Sequence, residues 1–288
     1  MSRSSRGVIA AAAVAVAATA ALPLVGSGSA SADEYPSTFT HTQPEQQPEG
    51  YGPSKPFIDK IMPWHGPVEP MKNQARIDRT DYGYRYTTGQ QDNHLTITEV
   101  AGGIEFRDTA TKELKALPRG CDAGEVKVGV VVTCEVPATT SAADPMLIEV
   151  HPRLGDDYVD GRTLSARFDM SVLGDAGAER IRTGAGNDFV NGAFQRDIVR
   201  GGAGNDWIRT GTENDDVYGG PGNDWLVGAE HHDKVYGRAG DDRVGGGQGN
   251  DLLYTGRGVD LAAGDSGSDT AYIDGDDRAN NVEKVIHR

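Results

Sequence analysis

The sequence predicts an all-β protein, a parallel β-roll (a β-solenoid) of nonapeptide repeats preceded by a small module of β-strands. Three observations support this fold class. Residues 174–272 divide into eleven consecutive blocks of nine residues without an insertion. The sixth position of every block is acidic, and the eighth is aliphatic. No amphipathic helical pattern follows the N-terminal segment, so the repeat must be built from strands and turns.

The first 32 residues have the pattern of a secretory signal peptide. Arg3 and Arg6 precede an apolar run over residues 8–24, and small residues then lead to the sequence Ala-Ser-Ala at residues 30–32. The run is short and rich in alanine, which favours cleavage after Ala32 over a membrane anchor. We therefore expect a secreted, extracellular protein.

The charge of the chain restricts its partners. The formal net charge is −15 at pH 7. Such an acidic protein repels nucleic acid and anionic lipid and attracts cations. We expect no binding to nucleic acid and no insertion into a membrane.

Two further segments precede the repeats. Residues 33–80 are rich in proline and predict an extended leader or linker. Residues 81–160 predict a small β module with a hairpin over residues 95–106 and further strands at Val126–Val132 and Leu147–Val150. Cys121 and Cys134 flank the first of these strands, and in an oxidising compartment they are expected to form a disulfide.

The repeats follow the pattern G-G-x-G-x-D-x-U-x, in which U is aliphatic. The clearest blocks are residues 201–209, 219–227 and 246–254. Glycines permit the positive φ angles of a tight loop, and positions seven to nine predict a short strand with position eight inward. Two blocks make one turn of eighteen residues. Aspartates of successive turns then stack as like charges, which a hard divalent cation such as Ca²⁺ relieves through its all-oxygen shell.

These blocks resemble the RTX, or haemolysin-type, calcium-binding repeats. The strand module resembles, more loosely, the N-terminal part of haemolysin-type calcium-binding proteins of actinobacteria. The resemblance implies that Ca²⁺ lies between loops one full turn apart. The implied metal site residues are the aspartates Asp188, Asp206, Asp224, Asp242, Asp260, Asp251 and Asp269, with the glycines Gly184, Gly186, Gly201, Gly202, Gly204, Gly219, Gly220, Gly222, Gly237, Gly240, Gly246, Gly247 and Gly249 acting through backbone carbonyls or turn geometry.

The two edges of the roll differ. The loops that start at residues 183, 201, 219, 237 and 255, here called the first edge, all have glycine at position four. On the second edge, position four becomes Gln195, Glu213 and His231 in the middle blocks. The resemblance therefore implies four sites on the first edge and one on the second, about five Ca²⁺ ions.

The remaining segments flank the array. Residues 154–160 look like the end of one more repeat, and residues 161–173 are expected to be an irregular connection. Residues 273–288 predict a strand that caps the stack, as repeat arrays require.

The sequence has no recognisable catalytic motif. The segment Gly264–Gly267 has the letters of a serine-protease nucleophile, but it falls in phase with the repeat. We therefore expect a non-enzymatic, secreted calcium-binding protein whose roll requires Ca²⁺ to fold. The alternative is a calcium-dependent surface adhesin or carbohydrate-binding module that uses the outward aromatic ladders. Transition-metal binding at residues 230–233 is a minor alternative.

Overall fold

The computed structural model describes Met71 and residues 73–288. The predicted signal peptide, and the leader as far as residue 70, lie outside the described residues. No described residue is helical, and the strands form two sheets, here called sheet I and sheet II. The prediction of an all-β parallel roll is confirmed.

Each sheet combines module strands at one end with roll strands at the other. Sheet I contains, in spatial order, β5 (Glu113–Leu114), β1 (Gln74–Arg79), β2 (Gly83–Thr87), β8 (Met146–His151), β10 (Phe168–Leu173), β12 (Phe189–Ala193), β14 (Trp207–Gly211), β16 (Trp225–Glu230), β18 (Arg243–Gly249), β20 (Leu261–Gly267) and β22 (Arg278–Asn280). Sheet II contains β6 (Cys121–Ala123), β7 (Val130–Glu135), β4 (Gly103–Asp108), β3 (His94–Val100), β9 (Tyr158–Asp160), β11 (Arg180–Arg182), β13 (Ile198–Arg200), β15 (Asp216–Pro221), β17 (Lys234–Ala239), β19 (Leu252–Arg257), β21 (Thr270–Ile273) and β23 (Lys284–His287).

The parallel register confirms two nonapeptides per turn. Ile181 pairs with Val199, and Val199 pairs with Val217, so neighbours in a sheet are eighteen residues apart. Successive blocks therefore alternate between the two sheets. First-edge loops lead into sheet I, and second-edge loops lead into sheet II.

Position eight forms the core of the roll. All eleven side chains at this position are fully buried and belong to one hydrophobic cluster with the module core. Period-two alternation in each short strand points position eight inward and positions seven and nine outward. The roll core is a narrow aliphatic column, because each block contributes one such side chain.

The module has a broader core. Tyr84, Tyr86 and Phe106 are buried, and the rings of Tyr86 and Phe106 stack with centroids 5.7 Å apart. The predicted hairpin is confirmed as β3 and β4, which pair antiparallel. Parallel pairing of β2 with β8 and of β3 with β9 joins both module sheets to the roll without a break.

The cysteines form the predicted disulfide, but its setting differs from the expectation. The strand predicted at Val126–Val132 is instead β7, which begins at Val130 and contains Cys134. The bond joins directly opposed residues of the antiparallel strands β6 and β7. It therefore cross-links two strands and does not merely bracket one. Val128 is exposed and Gly129 has a positive φ, which explains why the chain turns where the sequence pattern suggested a strand.

Two segment boundaries also need correction. Strand β1 lies inside the stretch assigned to the leader, because it pairs antiparallel with β2. Strand β10 lies inside the connection expected to be irregular over residues 161–173, since it pairs with both β8 and β12. At the C-terminus, residues 273–288 supply two strands, β22 and β23, which extend sheet I and sheet II respectively.

Candidate metal centres

The acidic side chains at position six form a buried column along each edge of the roll. The first-edge column contains Asp188, Asp206, Asp224, Asp242 and Asp260. The second-edge column contains Glu179, Asp197, Asp215, Asp233, Asp251 and Asp269. All eleven side chains are nearly inaccessible to solvent. In the aspartates, one carboxylate oxygen binds the preceding turn. For example, the Asp206 N–H donates to Asp224 Oδ1 at 2.9 Å, and the Asp215 N–H donates to Asp233 Oδ1 at 2.8 Å. Oδ1 is thus fully committed on both edges.

The second carboxylate oxygen of most column aspartates has no hydrogen-bond partner among the described residues. This is true of Oδ2 in Asp197, Asp206, Asp215, Asp224, Asp233, Asp242, Asp251, Asp260 and Asp269. A buried, partnerless carboxylate oxygen is strongly destabilising unless a cation or a proton compensates it. Nine of the eleven blocks therefore present one carboxylate oxygen without a hydrogen-bond partner, and these oxygens are aligned along the two edges.

Glycine at position one provides the space for that oxygen. A Cβ added to Gly201 would lie 2.2 Å from Asp206 Oδ2, and one added to Gly219 would lie 2.2 Å from Asp224 Oδ2. A side chain added at Gly201 or Gly219 would therefore clash with the carboxylate unless one of the two groups shifted. Threonine replaces this glycine in some loops, and there its hydroxyl donates to the next turn, as from Thr210 Oγ1 to the Gly228 carbonyl at 3.0 Å.

Glycine at position four brings successive loops into contact. Gly204 has φ of +111° and Gly222 has φ of +140°, conformations that only glycine adopts readily. A Cβ on Gly222 would lie 1.9 Å from the Gly204 carbonyl oxygen. Backbone carbonyls of neighbouring turns therefore stack beside the carboxylate column, and they can complete an oxygen shell.

The second edge has a different conformation at position four. Gln195, Glu213 and His231 have φ of +66°, +78° and +78°, which is the left-handed helical region. The glycines at position four that have a positive φ have values of +111° or more, and this holds on both edges. The loops that lost glycine therefore arrange their backbones differently, although their aspartates keep the same hydrogen bonds.

Burial raises the pKa of the column carboxyls. Desolvation raises the pKa of Asp224 to about 7, and the Asp206 N–H bond offsets this in part. Burial, and then the charges of neighbouring aspartates, raise the pKa of Asp233 and of Asp242 to about 9. Without a cation these carboxyl groups retain protons near neutral pH. A bound metal ion would instead lower their pKa and keep them ionised.

The donor set fits calcium. Within residues 71 and 73–288, no three His, Cys, Asp or Glu side chains converge on one point. Carboxylates would thus supply only part of a shell of six to eight oxygens, and stacked backbone carbonyls are the other donors at hand. The histidines of the second edge are engaged with the backbone. His231 Nδ1 accepts from the Glu213 N–H at 3.2 Å, and His232 Nδ1 accepts from the Asn250 N–H at 2.8 Å.

The predicted site residues occupy the expected positions, with one difference. Asp188 carries no partnerless oxygen. Its Oδ1 accepts from the Met170 N–H at 2.6 Å and its Oδ2 accepts from the Gly184 N–H at 3.1 Å. Met170 holds position six of the preceding turn, so Asp188 ends the first-edge column and bonds to a turn that has no carboxylate there.

Sequence reasoning left out residues that the structure places in equivalent settings. Asp197, Asp215 and Asp233 have the same buried carboxylate geometry as the predicted ligands. The acidic sixth position of their blocks indicated them as candidates. They were not predicted as ligands because their loops lack glycine at position four. The asparagines at position five also form a ladder, in which the Asn223 N–H donates to Asn205 Oδ1 at 2.8 Å.

The fold defines a repeat protein of the parallel β-roll class. The family model described as RTX calcium-binding nonapeptide repeat (4 copies) matches the chain at residues 173–208, 209–244 and 236–271. Residues 173–271 are therefore RTX calcium-binding nonapeptide repeats. Neither a curated protein nor a solved structure matches the chain significantly.

Proposed function

We propose that this chain is an exported, non-enzymatic calcium-binding protein in which Ca²⁺ lies between successive turns of the roll and is required for its folding. The observation that carries this proposal is the set of buried aspartates at position six, all of which except Asp188 have one oxygen with no hydrogen-bond partner within the described residues. A carboxylate that is buried for structural reasons alone would be expected to have both oxygens hydrogen-bonded.

The first edge supplies most of the proposed sites. Its residues are Asp206, Asp224, Asp242 and Asp260, and loops one turn apart share an ion, with Asp188 in a weaker terminal role. The second edge adds a site at Asp251 and Asp269, whose loops keep glycine at position four. The total is about five ions.

The chain's own residues prepare each site. Position-one glycine leaves room for the carboxylate, and the backbone N–H of the preceding turn orients it through Oδ1. Position-four glycine lets neighbouring loops approach closely. When bound, Ca²⁺ supplies positive charge that offsets the repulsion between stacked carboxylates.

Export is supported by the cysteines as well as by the proposed signal peptide. The Cys121–Cys134 disulfide is a bond that persists in oxidising compartments. Among the described residues, none forms a helix long and apolar enough to cross a bilayer. The proposed cleavage after Ala32 leaves the chain from Asp33 onward as the mature, extracellular form.

Calcium titration tests the proposal. The protein from Asp33 to Arg288 is expected to bind about five Ca²⁺ ions in calorimetry and to gain β-structure in far-ultraviolet circular dichroism as it does so. Magnesium is expected to substitute poorly, because it requires a tighter octahedral shell. Binding of fewer than two ions, or an unchanged spectrum on adding Ca²⁺, would refute the proposal.

A second candidate, a calcium-dependent adhesin or carbohydrate-binding module, has one observation in its favour. Four tyrosines form a row on the outer face of sheet II and remain partly exposed. The tryptophans on the outer face of sheet I are different. Trp207 and Trp225 stack with centroids 5.1 Å apart, but they are 7% and 2% exposed. Only the tyrosine row offers an accessible ladder.

A further inference from the structure

The tyrosine row consists of Tyr218, Tyr236, Tyr254 and Tyr272 at position nine of successive sheet II strands. Adjacent ring centroids are 4.5–4.7 Å apart, and interplanar angles are between 3° and 7°. Each ring therefore covers the face of the next. Ring edges and phenol groups point outward, so a sugar ring cannot stack on these tyrosines in the usual face-to-face manner.

Arginines occupy the ring faces at both ends of the row. The Arg200 guanidinium lies 4.8 Å from the Tyr218 centroid, and Arg238 lies 5.2 Å from the same ring. At the other end, Arg288 lies 4.7 Å from the Tyr272 centroid. These cation–π contacts hold guanidinium groups in place beside the row of phenols.

The outer face of sheet II is basic, although the chain as a whole is acidic. From β11 to β23 one acidic residue, Asp216, lies on this face, and Arg196 binds it at 2.8 Å. The basic residues of the same face are Arg180, Arg182, Arg200, Lys234, Arg238, Lys284 and Arg288. The net charge of −15 is therefore carried elsewhere, chiefly by the loops at the two edges.

The row and its arginines also line a depression. It has a volume of about 500 Å³ and is bounded by Tyr218, Tyr236, Arg238, Tyr254, Gly256 and Arg288. Its lining combines guanidinium donors, phenol groups and the apolar edges of aromatic rings. A guanidinium binds a carboxylate through two parallel hydrogen bonds, while phenols suit hydroxyl partners.

We propose that this basic tyrosine face binds a carboxylate-bearing polysaccharide that lies along the axis of the roll. Arg238 and Arg288 bind its carboxylates, and the phenols bind its hydroxyls. This proposal rests on the calcium-loaded fold proposed above, since the row exists only when the strands are stacked. Calcium also neutralises the loops that would otherwise repel an anionic polymer.

The test uses the chain from Asp33 onward at saturating Ca²⁺, with its fold verified by circular dichroism. The probes are a hyaluronan decasaccharide, the same oligosaccharide with its carboxyls reduced to alcohols, and polyglutamate. We expect the decasaccharide to bind, and binding to weaken with added salt. The neutral oligosaccharide and polyglutamate are expected to bind at least about tenfold more weakly, a difference of about 1.4 kcal/mol.

The variant Arg238→Glu/Arg288→Glu is expected to lose more than about tenfold in affinity, because it places repulsive charge where the carboxylates bind. The control variant Arg107→Glu/Arg162→Glu changes net charge equally at exposed positions outside the row and is expected to change affinity less than about twofold. Equal loss in both variants would overturn the proposal. The proposal would also be overturned if the neutral oligosaccharide bound equally well or if the folded protein bound no probe. Preferential binding of polyglutamate would overturn it too, and would indicate an acidic protein partner.

The calcium count distinguishes this proposal from the proposed function. Calorimetry of both variants is expected to give the ion number of the parent protein, because none of the four arginines is a proposed ligand. A folded, calcium-loaded chain that ignores the decasaccharide would refute only the polysaccharide proposal. A chain that is folded but binds no calcium would refute the calcium proposal, and the sugar assay would still be decisive.

Discussion

The buried aspartates of the roll are divided between two tasks at the level of single atoms. In Asp224, Oδ1 accepts the backbone N–H of Asp206, while Oδ2 has no partner within the described residues. The backbone N–H of Asp224 donates in the same way to Asp242 Oδ1 in the following turn. The hydrogen-bond ladder thus aligns the carboxylates without neutralising them, and the second oxygen remains for a cation.

The pH dependence of the calcium-free fold follows from these buried carboxyls. Burial raises the pKa of Asp215 to about 8 and that of Asp242 to about 9, whereas an aspartate in the unfolded chain titrates near about 3.9. The folded state then holds more protons between these values. The free energy of unfolding should therefore fall as pH rises from about 4 to about 9. Far-ultraviolet circular dichroism of the calcium-free chain at pH 5 and pH 8 measures this, because more of the roll should be folded at the lower pH.

Calcium should reverse the trend, because protons compete with the metal for the same carboxylates and affinity rises with pH. The same spectra at pH 5 and pH 8 with saturating Ca²⁺ provide the comparison. Equal stability of the calcium-free chain at pH 5 and pH 8 would contradict the assignment of buried, uncompensated carboxyls.

Asp224 and Asp215 offer a matched comparison between the two edges. Both are buried and both carry a partnerless Oδ2, but only the loop of Asp224 keeps glycine at position four. Asp224→Asn is expected to remove about two Ca²⁺ ions, since it belongs to two proposed sites, and Asp215→Asn about none. Equilibrium dialysis with metal analysis measures the difference. Asp216→Asn, which changes an adjacent carboxylate outside the column, is the control. Equal losses of bound Ca²⁺ in Asp224→Asn and Asp215→Asn would exclude the difference between the two edges.

At the level of elements, we expect the loops to determine how many Ca²⁺ ions each edge binds. The strands on both sheets are alike, with the same register and the same inward position eight. The middle loops of the second edge differ from those of the first edge in the φ angle at position four, where they lack glycine. Non-glycine residues in the left-handed region are strained by about 1–2 kcal/mol each. Glu213 and His231 therefore place strain as well as altered geometry on the second edge.

Restoring glycine should create sites on that edge. In Glu213→Gly/His231→Gly, the aspartates Asp215 and Asp233 are already in place, so the variant is expected to bind about one or two additional Ca²⁺ ions. Calorimetry against the parent protein measures the gain. Gln248→Gly, at an exposed position near the end of β18 without positive φ, controls for the added chain flexibility of glycine. An unchanged ion count would show that position four does not govern binding.

The sequence was informative for the repeats and less so for the module, for a physical reason. Position six is acidic and position eight is aliphatic in every block, so their pattern predicted the buried columns and the register of the roll. Strand β7 depends instead on its antiparallel partner β4, which is distant in sequence, and β1 pairs with the distant β5 as well as with the adjacent β2. The satisfied state of Asp188 depends on the backbone of Met170, which no side-chain pattern reveals.

At the level of the whole molecule, two cores of unequal strength share continuous sheets. The module buries aromatic side chains such as Tyr86 and Phe106 and contains the disulfide. Each turn of the roll contributes only two aliphatic side chains, which shrink to Ala262 and Ala271 near the C-terminus. The module also gives the first turns of the roll paired neighbours in both sheets, through β8 and β9. It is therefore placed to act as the template on which the roll folds.

This inequality predicts that calcium removal unfolds the roll and spares the module. Each ion bound only by the folded form stabilises it by about 2.7 kcal/mol when free Ca²⁺ is a hundredfold above the dissociation constant. Sites in extracellular modules have dissociation constants of about 10⁻⁴–10⁻³ M, so the roll should lose this support where calcium is scarce. In calcium-free buffer at neutral pH, we expect peptides from residues 174–288 to exchange amide hydrogens rapidly.

Peptides from residues 74–135 should stay protected under the same conditions, because their core does not depend on the carboxylate column. Hydrogen exchange followed by mass spectrometry, with and without Ca²⁺, resolves the two regions in one protein and provides the module as an internal control. Protection should return to the roll over a narrow range of calcium concentration, since neighbouring sites share turns and fold together. Persistent protection of the roll without calcium would mean that its aliphatic column and backbone ladders suffice, and that the aspartates are compensated by protons alone.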